Sequence, residues 1–519
     1  MPINAVGRVL PERVGNYVIK PYQGVSNENL ELPKVVSNRR PALSPTSGSK
    51  VVDTLEQAIL TAGLKDGMTI SFHHSFREGD LIVGQVLTAC RNLGIKNLRF
   101  APSAVVNINN PSIVDFVCDG TINRIEASGI RGELGDAVIE GLMDTPVILR
   151  PHGARPRAIE AGELEIDVAF IGASAADECG NATGQIGPNA CGSLGYSFID
   201  ATSAGKVIVI TDNLVDYPCV PISISQQYVD YVVKVEKIGI PEKIGAGATR
   251  MTDNPRDLMI AKRVADVIAA SRLFRDGFSF QTGAGAISIA CTNYLAEYME
   301  KKNIKASFAL GGITANIVDM FNKDLVRVLL CSQSFDSVAA RAIAEHQNII
   351  EIDNAVYSNK FSKGCMLDKL NFGVLPALEV DVDFNLNILT GSSGEMLGGL
   401  GGGPDVAEGA DISIVTLPII RGRTPSVVKK VFTICTPGDT VAVVVTEAGI
   451  ALNPRHKYYE VLKEDLEEAG LKTVSIEYLC QLALSMTGTP KPIECTDKIV
   501  CIVEYRDGTV IDVIRQVKR

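Results

Sequence analysis

Residues 278–302 read "FSFQTGAGAISIACTNYLAEYMEKK", and the order of chemistry along them is strand, glycine turn, helix. Phe278–Phe280 reads as a strand and Ser288–Lys302 as a helix. "GAGAIS" between them leaves the free backbone N–H groups of the helix start pointing at one spot. "FALGGITANIVDMF" at 308–321 repeats the same shape. Working outward, "TISF" at 69–72 is followed by the helical "EGDLIVGQVLTACRNLG" and then by "NLRFAPSAVV", while "EIDVAFIGAS" and "KVIVITDNL" are buried-strand candidates. Strands separated by helical stretches predict an α/β fold with a mainly parallel sheet flanked by helices.

The second half repeats the first. "DGMTISFHHSF" at 66–76 resembles "DGFSFQTGAGA" at 276–286, "EIDVAFIGAS" at 165–174 pairs with "GADISIVTLP" at 409–418, and "KVIVITDNL" at 206–214 pairs with "VAVVVTEAG" at 441–449. The three matches fall in one order, which predicts two similar α/β domains. Gly, Pro and Lys interrupt the pattern over 234–255, so the expected division is an N-terminal arm at 1–50, a first domain at 51–238 and a second at 239–519.

Composition narrows the function. Of 519 residues 46% are apolar and 21% charged, a globular balance; aromatics are only 6%, and the Val-, Ile- and Leu-rich runs suit buried parallel strands. A net charge of −10 argues against a nucleic-acid partner, which needs a Lys/Arg surface. Any anionic ligand must then be held by local groups. Twelve cysteines without a CxxC pair read as buried reduced thiols, and five histidines without a Cys/His cluster predict no metal site. No apolar stretch approaches 18 residues and "MPINAVGRVLPERVGNY" has no apolar signal region, so the expectation is a soluble cytoplasmic protein with no membrane partner.

Two kinds of segment are candidates for chemistry. The first is glycine-rich backbone. "LTGSSGEMLGGLGGGPD" at 389–405 puts seven glycines between Gly391 and Asp405, bracketed by apolar strands rather than by the polar sequence of a linker. For "GAGAIS" three readings stand: a dinucleotide loop, although GxGxxG fails at Ser288; a tight packing turn; or backbone donors lining an acyl or thioester site. The second kind is charged. "SFHHSFREGD" places His73, His74, Arg77 and Glu78 directly after a strand, where open α/β sheets bind ligands, with an exposed loop as the bland alternative. "ILRPHGARPRAIEAG" gathers Arg150, His152, Arg155 and Arg157 between prolines that keep them out of a helix interior, either as a solvated turn or as an anion site. Glu447 ends a strongly apolar strand as a nucleophile, a base or a capping carboxylate.

Together these segments resemble the acyl-CoA:carboxylate CoA-transferase superfamily and, over nearly the whole chain, its citrate lyase alpha-chain family. "SFHHSFREGD", "RGELGD", "RPHGARPRAIEAGELEIDVAFIGASAADECGNATGQIGPNACGSLGYSFIDA", "FQTGAGAIS" and "ILTGSSGEMLGGLGGGPDVAEGADI" carry the resemblance. More distantly, "QTGAGAIS" and "VVTEAGIALNP" look like segments of the 4-hydroxybutyrate and acetate CoA-transferases. In those relatives a glutamate on a loop after the glycine turn becomes acylated and then carries CoA. Laid against "ASFALGGITANIVDMF", that position falls at or near Gly311, so the nucleophile is missing here; Glu447 is the one substitute in the sequence.

The resemblance implies two CoA-transferase-like domains and an exchange of a thioester between carboxylates: acetyl-S-carrier plus citrate gives citryl-S-carrier plus acetate. It implies no cofactor bound by this chain itself, the thiol being on the phosphoribosyl-dephospho-CoA arm of an acyl carrier (gamma) subunit, with acetyl-CoA as substitute. A lyase (beta) subunit would then split the citryl thioester, within an oligomeric complex. On this view Gly283, Gly285, Gly311 and Gly312 supply catalytic backbone, and Gly391, Ser392, Ser393, Gly394, Gly401, Gly402 and Gly403 receive the pantetheine thioester. Local chemistry puts His73, His74 and Arg77, then Arg155 and Arg157, on citrate. Covalent transfer through Glu447 to a simpler acid or citramalate is the alternative.

Overall fold

The structure, a computed structural model, describes residues 2–25, 48–105, 112–245, 251–283 and 285–518. Much of the expected arm (26–47), part of the expected linker (246–250) and Ala284 lie outside the described residues.

Two large sheets organise the chain. The first runs in the order Val510–Val517, Cys495–Glu504, Val147–Leu149, Ile122–Ala127, Leu98–Phe100, Thr69–Ser71, Val168–Gly172, Lys206–Thr211, Tyr231–Lys234 and Val51–Val52; all neighbours are parallel except the first pair. The second runs Ile349–Glu351, Leu329–Ser334, Phe308–Ile313, Ser279–Thr282, Phe372–Pro376, Ile412–Thr416, Val443–Thr446 and Gly449–Leu452, antiparallel only in the last pair. The α/β expectation therefore holds. Helices cover the sheets through apolar stripes: Ile82–Asn92 buries Ile82, Val83, Val86, Leu87 and Cys90 in one core with Ile70 and Phe100. The segment that opened the reading folds as strand Ser279–Thr282 and helix Ala286–Lys302, the helix starting two residues earlier than its composition predicts and stopping at a left-handed Asn303.

The internal repeat is real in topology, but its register differs from the expected one. Thr69–Ser71 and Ser279–Thr282 occupy matching central positions, as read from the sequence. Val168–Gly172, however, matches Phe372–Pro376, and Lys206–Thr211 matches Ile412–Thr416, each one strand earlier than the sequence pairing. Short apolar strands are interchangeable by eye; the turns after them are not. Asp177 accepts from the backbone of Cys179 and Asn181, and Asp381 accepts in the same way from Asp383 and Asn385. That Asp-x-x-x-Asn turn fixes the true register.

The division at 238/239 also needs correction at the chain's end. Cys495–Glu504 pairs with Val147–Leu149, so the C-terminal hairpin extends the first sheet. It covers what would otherwise be an open, apolar sheet edge, a tertiary relation with no local signature. Residues of the N-terminal segment then pack on the hairpin: Leu10 and Ile19 share a core with Ile502 and Val510, and the rings of Tyr22 and Tyr505 lie 4.9 Å apart. Among the described residues no helix is long and apolar enough to cross a membrane.

Candidate active site

Both sheets direct the carboxyl ends of parallel strands toward one space, where a cavity of about 510 Å3 lies between the two halves. Such ends are where loops of open α/β sheets meet ligands. From the first half come His74 and Arg77, after Thr69–Ser71; Ser128 and Gly129, after Ile122–Ala127; and His152, after Val147–Leu149. From the second come Gln281 and Gly283, Gly312, Gln333, Tyr357 and the glycine run Gly398–Gly403.

The glycine run explains itself at Gly399. Gly129 and Gly399 form a bridge between the halves, the Leu400 amide donates to the Ser128 carbonyl at 2.6 Å, and a Cβ on Gly129 would overlap the Gly399 Cα. Bare backbone is required there for the halves to meet. Gly401 and Gly402 serve another purpose: both line the cavity, and their N–H groups have no acceptor among the described residues. Gly403 closes onto the Leu400 carbonyl and opens the short helix Gly403–Gly409. The earlier part of the run is not at the cavity. Gly391 and Gly394 close a tight turn with Glu395, Ser392 donates to Glu379, Ser393 donates to Glu395, and a Cβ on Gly394 would meet Val517. These four residues are a structural turn, a correction to the expected thioester-binding set.

The charged candidates separate as sharply. His74 faces the cavity beside His152 and Tyr196, with ring centroids 5.3 and 4.6 Å away. His73, the next residue of an extended segment, points the other way and meets the buried Asp200 at 2.5 Å. Arg155 grips the same Asp200 with two bonds of 2.8 Å, and Arg157 pairs with Glu163. His73, Arg155 and Arg157 are thus engaged by internal carboxylates and are not available to a ligand. Arg155 and Arg157 lie within the helix Ala154–Glu160; its Pro156 is tolerated because it sits in the first turn. Arg150 is likewise buried between Glu126 and Glu504. Arg77 differs. It lines the cavity, sits over the Phe335 ring at 4.8 Å and has no ion pair within 4 Å among the described residues. Burial lowers its pKa, as expected of a cation waiting for an anion.

Of the proposed catalytic backbone, Gly283 and Gly312 line the cavity, whereas Gly285 caps the helix Ala286–Lys302 behind it. Gly311 has a φ of +98°, and a Cβ there would lie 2.9 Å from the Tyr357 hydroxyl. Glu447 is outside the cavity, where its carboxylate accepts from the Ile419 amide at 2.9 Å. It is a turn acceptor, not a nucleophile poised on a substrate. Glu78 is the carboxylate residue among those lining the cavity, and it is ion-paired to the half-exposed Arg131 at 2.8 Å.

The imidazoles and the Tyr196 phenol of the wall are uncharged. Burial pushes the His152 pKa down to about 3, with the Arg155 charge adding to it, and holds His74 well below the ordinary imidazole range. Burial keeps the Tyr196 phenol protonated, and its hydroxyl meets His152 Nδ1 at 2.6 Å. His152 Nε2 and Gln281 Oε1 are buried without partners among the described residues. Unpartnered buried polar atoms are costly, so several at one cavity mark a polar ligand. No group of three or more His, Cys, Asp or Glu among the described residues is arranged to hold a metal. Sequence reasoning missed Tyr196, Gln281, Gln333 and Tyr357, which carry no periodicity or charge signal, and used Arg131 only as part of the "RGELGD" resemblance.

Comparison with known proteins follows this geometry. The family model described as citrate lyase, alpha subunit, matches residues 48–517. The citrate lyase alpha chain of Escherichia coli (strain K12) is 49% identical over 469 residues, 90% of this chain and 91% of its own. That of Klebsiella pneumoniae is 46% identical over 500 residues, 96% of each chain. A crystal structure from Streptococcus mutans, described as the alpha subunit of citrate lyase in complex with citrate, superposes with a TM-score of 0.95 at 44% identity, covering 99% of this chain and all of that one.

Proposed function

The chain belongs to the citrate lyase alpha-subunit family, and from that premise we propose that it is the complex's transferase, moving a carrier thioester from acetate to citrate: acetyl-S-carrier plus citrate gives citryl-S-carrier plus acetate. The observation that carries this reading is the cavity wall itself. It offers free backbone donors, neutral imidazoles and two guanidinium groups without an ion pair among the described residues, Arg77 and Arg421, and its one carboxylate residue is engaged with Arg131. A site so made suits attack by a substrate carboxylate rather than by a carboxylate of the protein.

In this reading Arg77, His74 and His152 hold citrate. A citrate carboxylate adds to the acetyl carbonyl, the thiolate leaves, and an acetyl–citryl anhydride forms. The thiolate then adds to the citryl carbonyl and expels acetate. Holding the weak nucleophile against the carbonyl is worth roughly 7–11 kcal/mol at best. In this reading the Gly401 and Gly402 amides receive each oxyanion, and one such donor contributes about 3–4 kcal/mol. The thiol belongs to the prosthetic arm of an acyl carrier partner, phosphoribosyl-dephospho-CoA in chemistry, with acetyl-CoA as a stand-in. The citryl thioester passes to a lyase subunit.

The test is transfer from an acetylated acyl carrier to labelled citrate, with citramalate in parallel. Citryl-carrier should appear with no label trapped on the chain. A stoichiometric protein-bound acyl or thioester species, chased into product, would end the direct-exchange reading.

A further inference from the structure

We infer that the Tyr357 hydroxyl is a catalytic group, donating a hydrogen bond to the thioester oxyanion together with the Gly402 amide; this rests on the transfer reading above. Tyr357 lies on the helix Asn354–Ser358, which Asp353 caps by accepting from the Ala355 amide at 2.8 Å. Its ring is fixed in a core with Leu310, Leu375 and Val406, and the residue is 4% exposed. The phenol therefore has one position. Its hydroxyl stands between Gly311 of strand Phe308–Ile313 and the glycine loop: a Cβ built on Gly311 falls 2.9 Å from it, and one built on Gly402 falls 3.6 Å from it.

That hydroxyl has no hydrogen-bond partner among the described residues; the Tyr22 and Tyr505 hydroxyls also lack one, but neither residue lines the cavity. A hydroxyl left without a protein partner at a cavity is free to donate to what enters it. Tyr357 lines the cavity, as does Gly402, whose amide is also free. Two unpartnered donors on one cavity wall, the hydroxyl 3.6 Å from where a Cβ on Gly402 would lie, can together meet an oxygen that becomes negative. Burial, with the Asp405 charge adding, raises the phenol pKa well above the ordinary value, so the proton stays on the oxygen throughout.

The step balances without proton transfer. As the carboxylate C–O bond forms, the carbonyl π pair moves onto oxygen, where Tyr357 and Gly402 bind it. The pair returns as the C–S bond breaks and the thiolate leaves with its electrons. The second half of the exchange reverses the roles, with thiolate adding and acetate leaving.

Tyr357→Phe in the full chain, assembled with its carrier, tests this. The expected result is a kcat for transfer lower by about a hundredfold, the loss seen when one oxyanion donor is removed. The carboxylate KM should stay within about twofold, because the interaction is made only in the transition state. The thermal midpoint should not fall. A kcat within about threefold of the parent, or a loss confined to KM, would overturn the assignment. A fluorinated tyrosine at 357, equal in shape but more acidic, should change kcat with KM unaltered; an unaltered kcat also overturns it. Rates are read with whichever of citrate, citramalate or acetate the parent exchanges fastest. A wrong citrate assignment then appears in the parent alone, and a wrong role for Tyr357 appears in the ratio of variant to parent.

Discussion

The amide of His152 donates to the carbonyl of Gly401 at 2.8 Å, joining the turn after strand Val147–Leu149 in one half to the glycine loop of the other. The His152 carbonyl accepts from Asn354 at 2.8 Å, and the Gly153 amide donates to Asp405 at 2.9 Å. The imidazole, carried by the first half, is thus positioned by the second. The cavity exists only while the halves are docked, so substitutions that part them and substitutions that obstruct the cavity should be separable.

Gly129 and Gly402 make that separation. A methyl on Gly129 overlaps the Gly399 backbone, so Gly129→Ala should cost roughly 1–3 kcal/mol in denaturant unfolding and weaken transfer with it. The nearest atom to a Cβ on Gly402 is the Tyr357 hydroxyl at 3.6 Å, ordinary contact. Gly402→Val should keep the parent's unfolding midpoint while transfer falls about tenfold or more, through bulk at the reacting groups. Equal stability losses in the two variants would mean that the loop is wholly structural.

Arg77 and Arg155 make a second contrast. Arg77→Ala removes a cation without an ion pair among the described residues, and the citrate KM should rise about tenfold or more with stability near the parent's. Arg155→Ala leaves Asp200 buried with only His73 and Ser71 beside it, and should destabilise the fold by about 3–5 kcal/mol. An unchanged citrate KM in Arg77→Ala would remove Arg77 from the site.

Glu447 offers a direct check on covalent chemistry. Glu447→Gln keeps an oxygen for the Ile419 amide and loses only the charge. Transfer should remain within about twofold of the parent, since the group lies away from the cavity. A loss of several orders of magnitude would restore it as the nucleophile.

What the sequence made legible follows from the range of each signal. The strand–turn–helix at 279–302 is local, and it stands nearly where its composition puts it. "HH" after a strand marks the cavity, but adjacent residues of an extended segment face opposite ways, and only the packed sheet tells that His74 faces the cavity and His73 faces Asp200. Arg155 looked like an anion trap because its partner is 45 residues away in the chain. Tyr196 and Tyr357, in "GSLGYSFID" and "NAVYSNK", were invisible because their chemistry arises where two halves meet. Of the glycine loop, Gly401–Gly403 line the cavity, while its start is a turn and Gly399 serves docking.

The neutral imidazoles give the enzyme an acid limit. In the unfolded chain a histidine takes up its proton near pH 6.5, whereas His152 in the fold does so only near 3. Between those values the unfolded state binds more protons, so the stability present above pH 6.5 is lost as pH falls toward 3, at up to roughly 1.4 kcal/mol per pH unit for this one group. His74 is shifted in the same direction by burial and adds to the slope. His152→Gln removes the titration while leaving an oxygen for the Tyr196 hydroxyl. Denaturant unfolding at pH 7.5, 6.5, 5.5 and 4.5 should then show the parent losing its advantage over the variant step by step, with the gap narrowing at each lower pH. Parallel profiles would mean that His152 takes up its proton at the same pH in the fold as in the unfolded chain, and that burial does not hold its ring neutral.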